Sequence, residues 1–290
     1  MKTISNASFG GERPLYGSTD SALTDVTFTE GESPLKECSN ITLDGCTFGW
    51  KYPLWYCHDI RVTNTVWQEM ARAGVWYSDN VKITDCTIDA PKNFRRSSNI
   101  VIAGTRFTNA LETLWNCSNV SLTDVKVANG DYLAMNSSDI KVRGLDLDGN
   151  YAFDGCSNVV IEDSRLNTKD AFWNCHNVTV RNSYISGEYL GWNSSDLTFI
   201  GCTVESSQGL CYINNLKMKD CKLVNTTLAF EYSSVEAEID SDIDSILNPS
   251  SGSITCNNIG VLIIEPDRVD PSRTVIRASV DSRLNKPEWL

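Results

Sequence analysis

A short unit recurs along this chain about every 20 residues, and that period constrains the fold more than any other property of the sequence. It reads CSNITLDGCTF from Cys38, CHDIRVTNTVW from Cys57, CSNVSLTDVKV from Cys117, CSNVVIEDSRL from Cys156 and CHNVTVRNSYI from Cys175. Ten units align on a corner Asn or Asp: Asn40, Asp59, Asn80, Asn99, Asn119, Asp139, Asn158, Asn177, Asp196 and Asn215. Successive spacings are 19, 21, 19, 20, 20, 19, 19, 19 and 19 residues. Residues one and three places after the corner are apolar in every unit, from Ile41 and Leu43 to Leu216 and Met218. That alternation marks a strand with one buried face. A second apolar column lies eight places after the corner, from Phe48 and Trp67 to Leu223. A third lies five places before it, from Leu54 and Val75 to Leu210, with Gly191 its one non-hydrophobe.

Three short strands per turn of this length describe a parallel β-helix, in which no coil buries its apolar face until its neighbours stack on it. The expected fold is all-β, a single-stranded parallel β-helix of about eleven coils of 19–21 residues. The pentapeptide-repeat helix is the competitor, but steps of five from Leu43 reach Pro53 and His58. Residues 1–19 are expected to form an N-terminal cap, 20–239 the β-helix, and 240–290 a C-terminal cap with short strands. Such caps cover the unpaired backbone groups of an open coil end.

The balance of 37 Asp and Glu against 25 Lys and Arg, a net charge of −12, argues against nucleic acid and against anionic membrane surfaces as partners. The N-terminus MKTISNASFGGERPLYG lacks the apolar run of a secretory signal, and no stretch is long enough to span a bilayer. Eleven cysteines, an odd number without a Cys-x-x-Cys pair, read as buried thiols of a cytoplasmic protein rather than a disulfide framework or a zinc site. No cofactor motif is present. His58 and His176, the two histidines, stand six coils apart and cannot share a proton-transfer or metal site, which removes the commonest general base.

The column four places before the corner carries the chemistry. It runs Trp55, Trp76, Arg95, Trp115, Met135, Asp154, Trp173, Trp192 and Cys211, with Phe230 aligned on the weaker unit at Val235. Five of the eight tryptophans fall here, and a column that admits both Arg95 and Asp154 is expected to face outward. Neighbouring loops add Asp131, Lys169, Asp170 and Glu188, and Arg96 flanks the column on its other side. An exposed aromatic stripe marks an interaction site. Its alternative is a self-stacking ladder, with Arg95 held between Trp76 and Trp115 by cation–π contact.

The motifs GERPLY from Gly11, GESPLKE from Gly31, KYPLWY from Lys51, PKNFRRS from Pro91, ETLWNC from Glu112, KDAFWNC from Lys169, GEYLGWNSS from Gly187 and QGLCY from Gln208 resemble one group. It is an uncharacterised bacterial family of about this length, classed as a domain of unknown function. The resemblance implies a right-handed β-helix of the pectin-lyase-like type and supplies no activity. Of the motifs of polygalacturonase-like hydrolases, Asn167-Thr168-Lys169-Asp170 echoes one and the others are missing.

Two functional expectations follow. The first is carbohydrate binding or processing, with an oligosaccharide or small acidic sugar against Trp55, Trp76, Arg95, Arg96, Trp115, Asp131, Lys169, Trp173, Glu188 and Trp192, and with Asp154 and Asp170 as acid and base. The second is a non-enzymatic scaffold that forms a homo-oligomer through the same aromatic face.

Overall fold

The computed structural model describes residues 1–280 and is a parallel β-solenoid, with one short 3-10 turn, Pro271–Arg273, and no α-helix among the described residues. It divides into two compact units, Met1–Gly149 and the chain from Asn150 onward. In the first unit eight long strands repeat from Lys2–Ser5 to Ser138–Arg143; in the second, seven repeat from Ser157–Glu162 to Thr274–Val280. The coils thus number fifteen rather than eleven. The first coil and those from Ser234 onward carry no Asn or Asp at the corner, the residue on which a sequence alignment depends. Both stretches expected as caps hold coils of their own: Lys2–Ser5 pairs in register with Ser21–Thr24, and Thr274–Val280 pairs with the strand from Ser251. The last ten residues of the expected C-terminal cap lie outside the described residues.

Register follows the apolar alternation. Ile41 stands opposite Ile60, and the column continues through Val81, Ile100, Val120 and Ile140 in the first unit. In the second it runs Val159, Val178, Leu197, Leu216 and Val235. A slip of one residue would turn every one of these side chains to water, so burial fixes the pairing. The column eight places after the corner is buried throughout, and its aromatic members meet: Phe28 stacks on Phe48 at 5.0 Å, and Phe48 lies tilted against Trp67 at 5.0 Å. All ten corner residues lie in the left-handed region, from φ 51° at Asn40 to 63° at Asn215. Asn and Asp tolerate that conformation, and their side chains bond along the stack, as Asn119 Nδ2 does to Asn99 Oδ1 at 2.6 Å.

The Cys/Ser column two places before the corner has a polar task. Ser137 Oγ donates to the Leu114 carbonyl at 2.7 Å and accepts from the Cys117 N–H at 2.8 Å. Cys57 Sγ donates to the Leu35 carbonyl at 2.9 Å. One small side chain per coil thereby satisfies backbone groups that the corner takes out of the ladder. Ser137→Ala leaves both groups buried without a partner and is expected to cost about 1–3 kcal/mol in urea denaturation; Ser137→Cys, the residue used by neighbouring coils, is expected to cost less. All eleven cysteines are free and buried thiols, as expected. Burial pushes the Cys57 and Cys117 thiols up to about 12, which removes them as nucleophiles near neutral pH.

The third edge departs from expectation. Leu54–Trp55 and Val75–Trp76 pair as strands there, Arg95 and Trp115 continue as single bridges, and elsewhere the edge is largely turns. Phe94, Leu114, Ala134, Phe153, Leu210 and Phe230 occupy φ between 55° and 68°, so the chain bends where a strand would run straight. Bulky residues adopt this region rarely and at a cost of order 1–3 kcal/mol each. Such strain clusters at functional positions, and here it underlies the Trp-bearing face.

Candidate functional site

Each unit carries its own part of the aromatic face. In the first, Trp55 stacks on Trp76 at 5.2 Å with planes 6° apart. The Arg95 guanidinium then lies 4.8 Å from the Trp76 ring and 4.5 Å from Trp115, the self-stacking ladder set out as the alternative. Glu112 closes the arrangement: its carboxylate meets Arg95 at 3.2 Å and Lys92 at 3.3 Å. Each indole N–H in this ladder donates to the next coil, Trp55 to Ala73 O at 2.6 Å, Trp76 to Lys92 O at 3.0 Å and Trp115 to Tyr132 O at 2.7 Å. The flat faces of Trp55, Trp76 and Arg95 are therefore occupied by one another. Arg96 is exposed beside them, and Asp131 is half-buried, its carbonyl accepting from the Glu112 N–H at 3.0 Å.

The second unit repeats the scaffold without that closure. Trp173 and Trp192 are 6.4 Å apart and tilted by 45°, splayed where Trp55 and Trp76 are parallel. The segment that leads to Trp192 is Gly187-Glu188-Tyr189-Leu190-Gly191, the end of strand Tyr184–Glu188 and the turn after it, and both glycines are required. A Cβ on Gly187 would stand 2.1 Å from Thr168 O, and Gly191 has φ 93°. Tyr151 meets Trp173 at 6.1 Å, Tyr189 meets Trp192 at 6.0 Å, and Lys169 joins Glu188 at 3.1 Å. Trp173 Nε1 is buried and, among the described residues, has no hydrogen-bond partner.

Asp170 is the unusual group. It is 2 % exposed, and its Oδ1 has no hydrogen-bond partner among the described residues. Burial raises its carboxyl to about 6, with Glu188 and Asp154 adding to the rise and Lys169 opposing it. An isolated buried carboxylate is costly unless a partner meets it. Asp154 itself is half-buried and accepts from Asn174 Nδ2 at 2.8 Å. The charges of Lys169, Glu188 and Asp154 all reach Asp170, and Trp173 lies in the same coil. No group of three His, Cys, Asp or Glu suited to a metal ion occurs among the described residues.

Two positions in the column differ from the sequence alignment. Phe230 is buried and belongs one column inward, because the Tyr212 N–H donates to Glu231 O at 2.7 Å and so puts Glu231 in the Trp column. One extra residue in that coil causes the shift. Cys211 keeps its place but is fully buried. Sequence analysis passed over Tyr212, whose ring lies 4.2 Å from Trp192; its position three before the corner, shared with Tyr56 and Tyr77, was the available signal.

A family model described as "Protein of unknown function (DUF3737)" matches residues 2–277. The chain belongs to that family. No curated protein matches it. Among solved structures it is similar to the surface adhesin PfbA of Streptococcus pneumoniae, at 13 % identity over 77 % of this chain and 71 % of that one, with a TM-score of 0.40. It is similar also to the tailspike protein of E. coli bacteriophage HK620 in complex with pentasaccharide, at 11 % identity, 95 % and 70 % coverage and a TM-score of 0.39. A third is the mannuronan C-5 epimerase AlgE4 A-module of Azotobacter vinelandii, at 11 % identity, 97 % and 89 % coverage and a TM-score of 0.36. Likeness at these values carries no argument about what this DUF3737 member does. Among its described residues, no helix is long and apolar enough to cross a membrane.

Proposed function

We propose that this protein binds an oligosaccharide on the aromatic face of its second unit, with Trp173 and Trp192 as the platform and Asp170 as the polar anchor. The observation that carries the reading is the pair of buried polar atoms without partners, Asp170 Oδ1 and Trp173 Nε1, beside two splayed indoles. A carboxylate accepts a hydrogen bond and an indole N–H donates one, and a sugar hydroxyl can do both. Aromatic faces cover the apolar side of a sugar ring while such anchors fix its orientation. In the first unit, stacking and the Glu112 ion pairs already engage these groups.

Titrating neutral, acidic and amino oligosaccharides while following tryptophan fluorescence and melting temperature tests the reading. A saturable response is expected, reduced about tenfold or more in Trp192→Ala, the scale of a lost stacking platform. No response from any class sinks it. Product formation in the same incubations is the outcome in which Asp154 and Asp170 serve as acid and base.

A second reading, self-association, is favoured by one observation in the first unit. Tyr56 is 43 % exposed and stacks parallel on Tyr77 at 4.9 Å, a flat apolar surface beside the closed ladder. Light scattering separates the two readings: an oligomer that dissociates in Tyr56→Ser supports an interface there.

A further inference from the structure

The two units contain the same local arrangement with different charges in it. In the first unit Arg95 stands four places before its corner, in register with Trp115 of the next coil, and its guanidinium reaches Glu112, which stands seven places before the corner of that next coil. In the second unit Asp154 stands four places before its corner, opposite Trp173, since the Gly155 N–H donates to Trp173 O at 2.8 Å as the Arg96 N–H donates to Trp115 O at 3.0 Å. Asp170 stands seven places before the corner of that coil, the counterpart of Glu112. Its N–H donates to Glu188 O at 2.8 Å, as the Glu112 N–H donates to Asp131 O at 3.0 Å. Asp170 therefore feels the charge of a carboxylate from the position where Glu112 meets a guanidinium.

Resting on the oligosaccharide reading above, we propose that the ligand of the second unit carries an ammonium group, as an amino sugar does, and that this group lodges between Asp154 and Asp170 against Trp173, repeating what Arg95 does between Glu112 and Trp115. The charges facing Asp170 agree. Lys169 is already paired with Glu188 at 3.1 Å, which leaves Asp154 and Asp170 as the excess. A uronate or other acidic sugar would add a third negative charge to this pair. An ammonium group gains the unpartnered Asp170 Oδ1 as acceptor and the indole as a cation–π surface. Binding is expected to weaken as pH falls through about 6, where Asp170 takes up its proton.

Glucosamine tetrasaccharide and cellotetraose, which differ at each ring by an ammonium group against a hydroxyl, test this by calorimetry on the full chain. The wild-type protein is expected to bind the amino form at least about tenfold tighter, the scale of a hydrogen bond to a buried charge. Asp154→Arg, which puts the chain's own guanidinium where Arg95 stands in the first unit, is expected to abolish that binding. Its circular dichroism spectrum is expected to match wild type. Asp170→Asn is the second variant, should Asp154→Arg fail to fold, and is expected to erase the preference for the amino form. Equal affinity for the two sugars overturns the ammonium proposal and leaves carbohydrate binding standing. Tight binding of the amino form that both variants retain overturns the placement. If neither sugar binds, the ammonium proposal falls, and the wider panel of neutral, acidic and amino oligosaccharides decides the carbohydrate reading.

Discussion

Phe48→Ala is expected to destabilise the first unit by about 3–5 kcal/mol, the cost of removing a fully buried aromatic ring whose cavity cannot collapse. Phe48 is 0 % exposed and lies between Phe28 and Trp67, 5.0 Å from each ring. Both neighbours are held by parallel pairing, Phe28 with Phe48 and Phe48 with Trp67, so neither backbone can move in to fill the space. Solenoid stability is approximately a sum of coil and interface terms, so one weak coil divides the cooperative unit. The expected signature in urea is an earlier first transition followed by a second one near the wild-type midpoint. A single transition shifted by less than about 1 kcal/mol would show that the aromatic stack contributes little.

Asp170→Asn is expected to stabilise the second unit at neutral pH, the opposite of the usual effect of altering a buried residue. The folded carboxyl titrates at about 6, above the ordinary Asp value of about 3.9. Between these values the folded chain holds a proton that the unfolded chain has released, so stability falls as pH rises through the interval. Below about pH 4 the group is protonated in both states and costs nothing; above about pH 6 the full penalty applies, roughly 2–3 kcal/mol. The amide carries no charge, so the variant is expected to gain most of that figure at pH 7 and nothing at pH 4. Thermal melts at both pH values check it, and an equal shift at the two would mean that the carboxylate is not the source.

Much of the fold was legible because burial writes itself into spacing. The columns one, three and eight places after the corner are apolar in sequence and buried in the structure, and the ten corner residues are all left-handed. A second left-handed corner five places after the first, visible as Asn64, Asp85, Gly104, Asp124 and Gly144, was there to be read as well. The bends at Phe94, Leu114 and Phe153 were not legible, since those residue types ordinarily avoid positive φ and signal an extended strand. The stripe of tryptophans was visible, but whether an indole face is free depends on the tilt of its neighbour. Trp55 and Trp173 occupy the same column, yet their planes lie 6° and 45° from those of the next indole.

The stacked thiols give the molecule a built-in record of its own opening. Each cysteine Sγ of the Cys57 and Cys175 kind bonds to the coil before it, to Leu35 and Phe153 respectively. An alkylating reagent can reach such a sulfur only during the interval in which those two layers part. Such bonds recur along the two units, from Cys38 to Leu15 at one end to Cys221 and Phe199 at the other. Timed labelling followed by mass spectrometry would therefore report, layer by layer and without any added probe, where each unit begins to unzip.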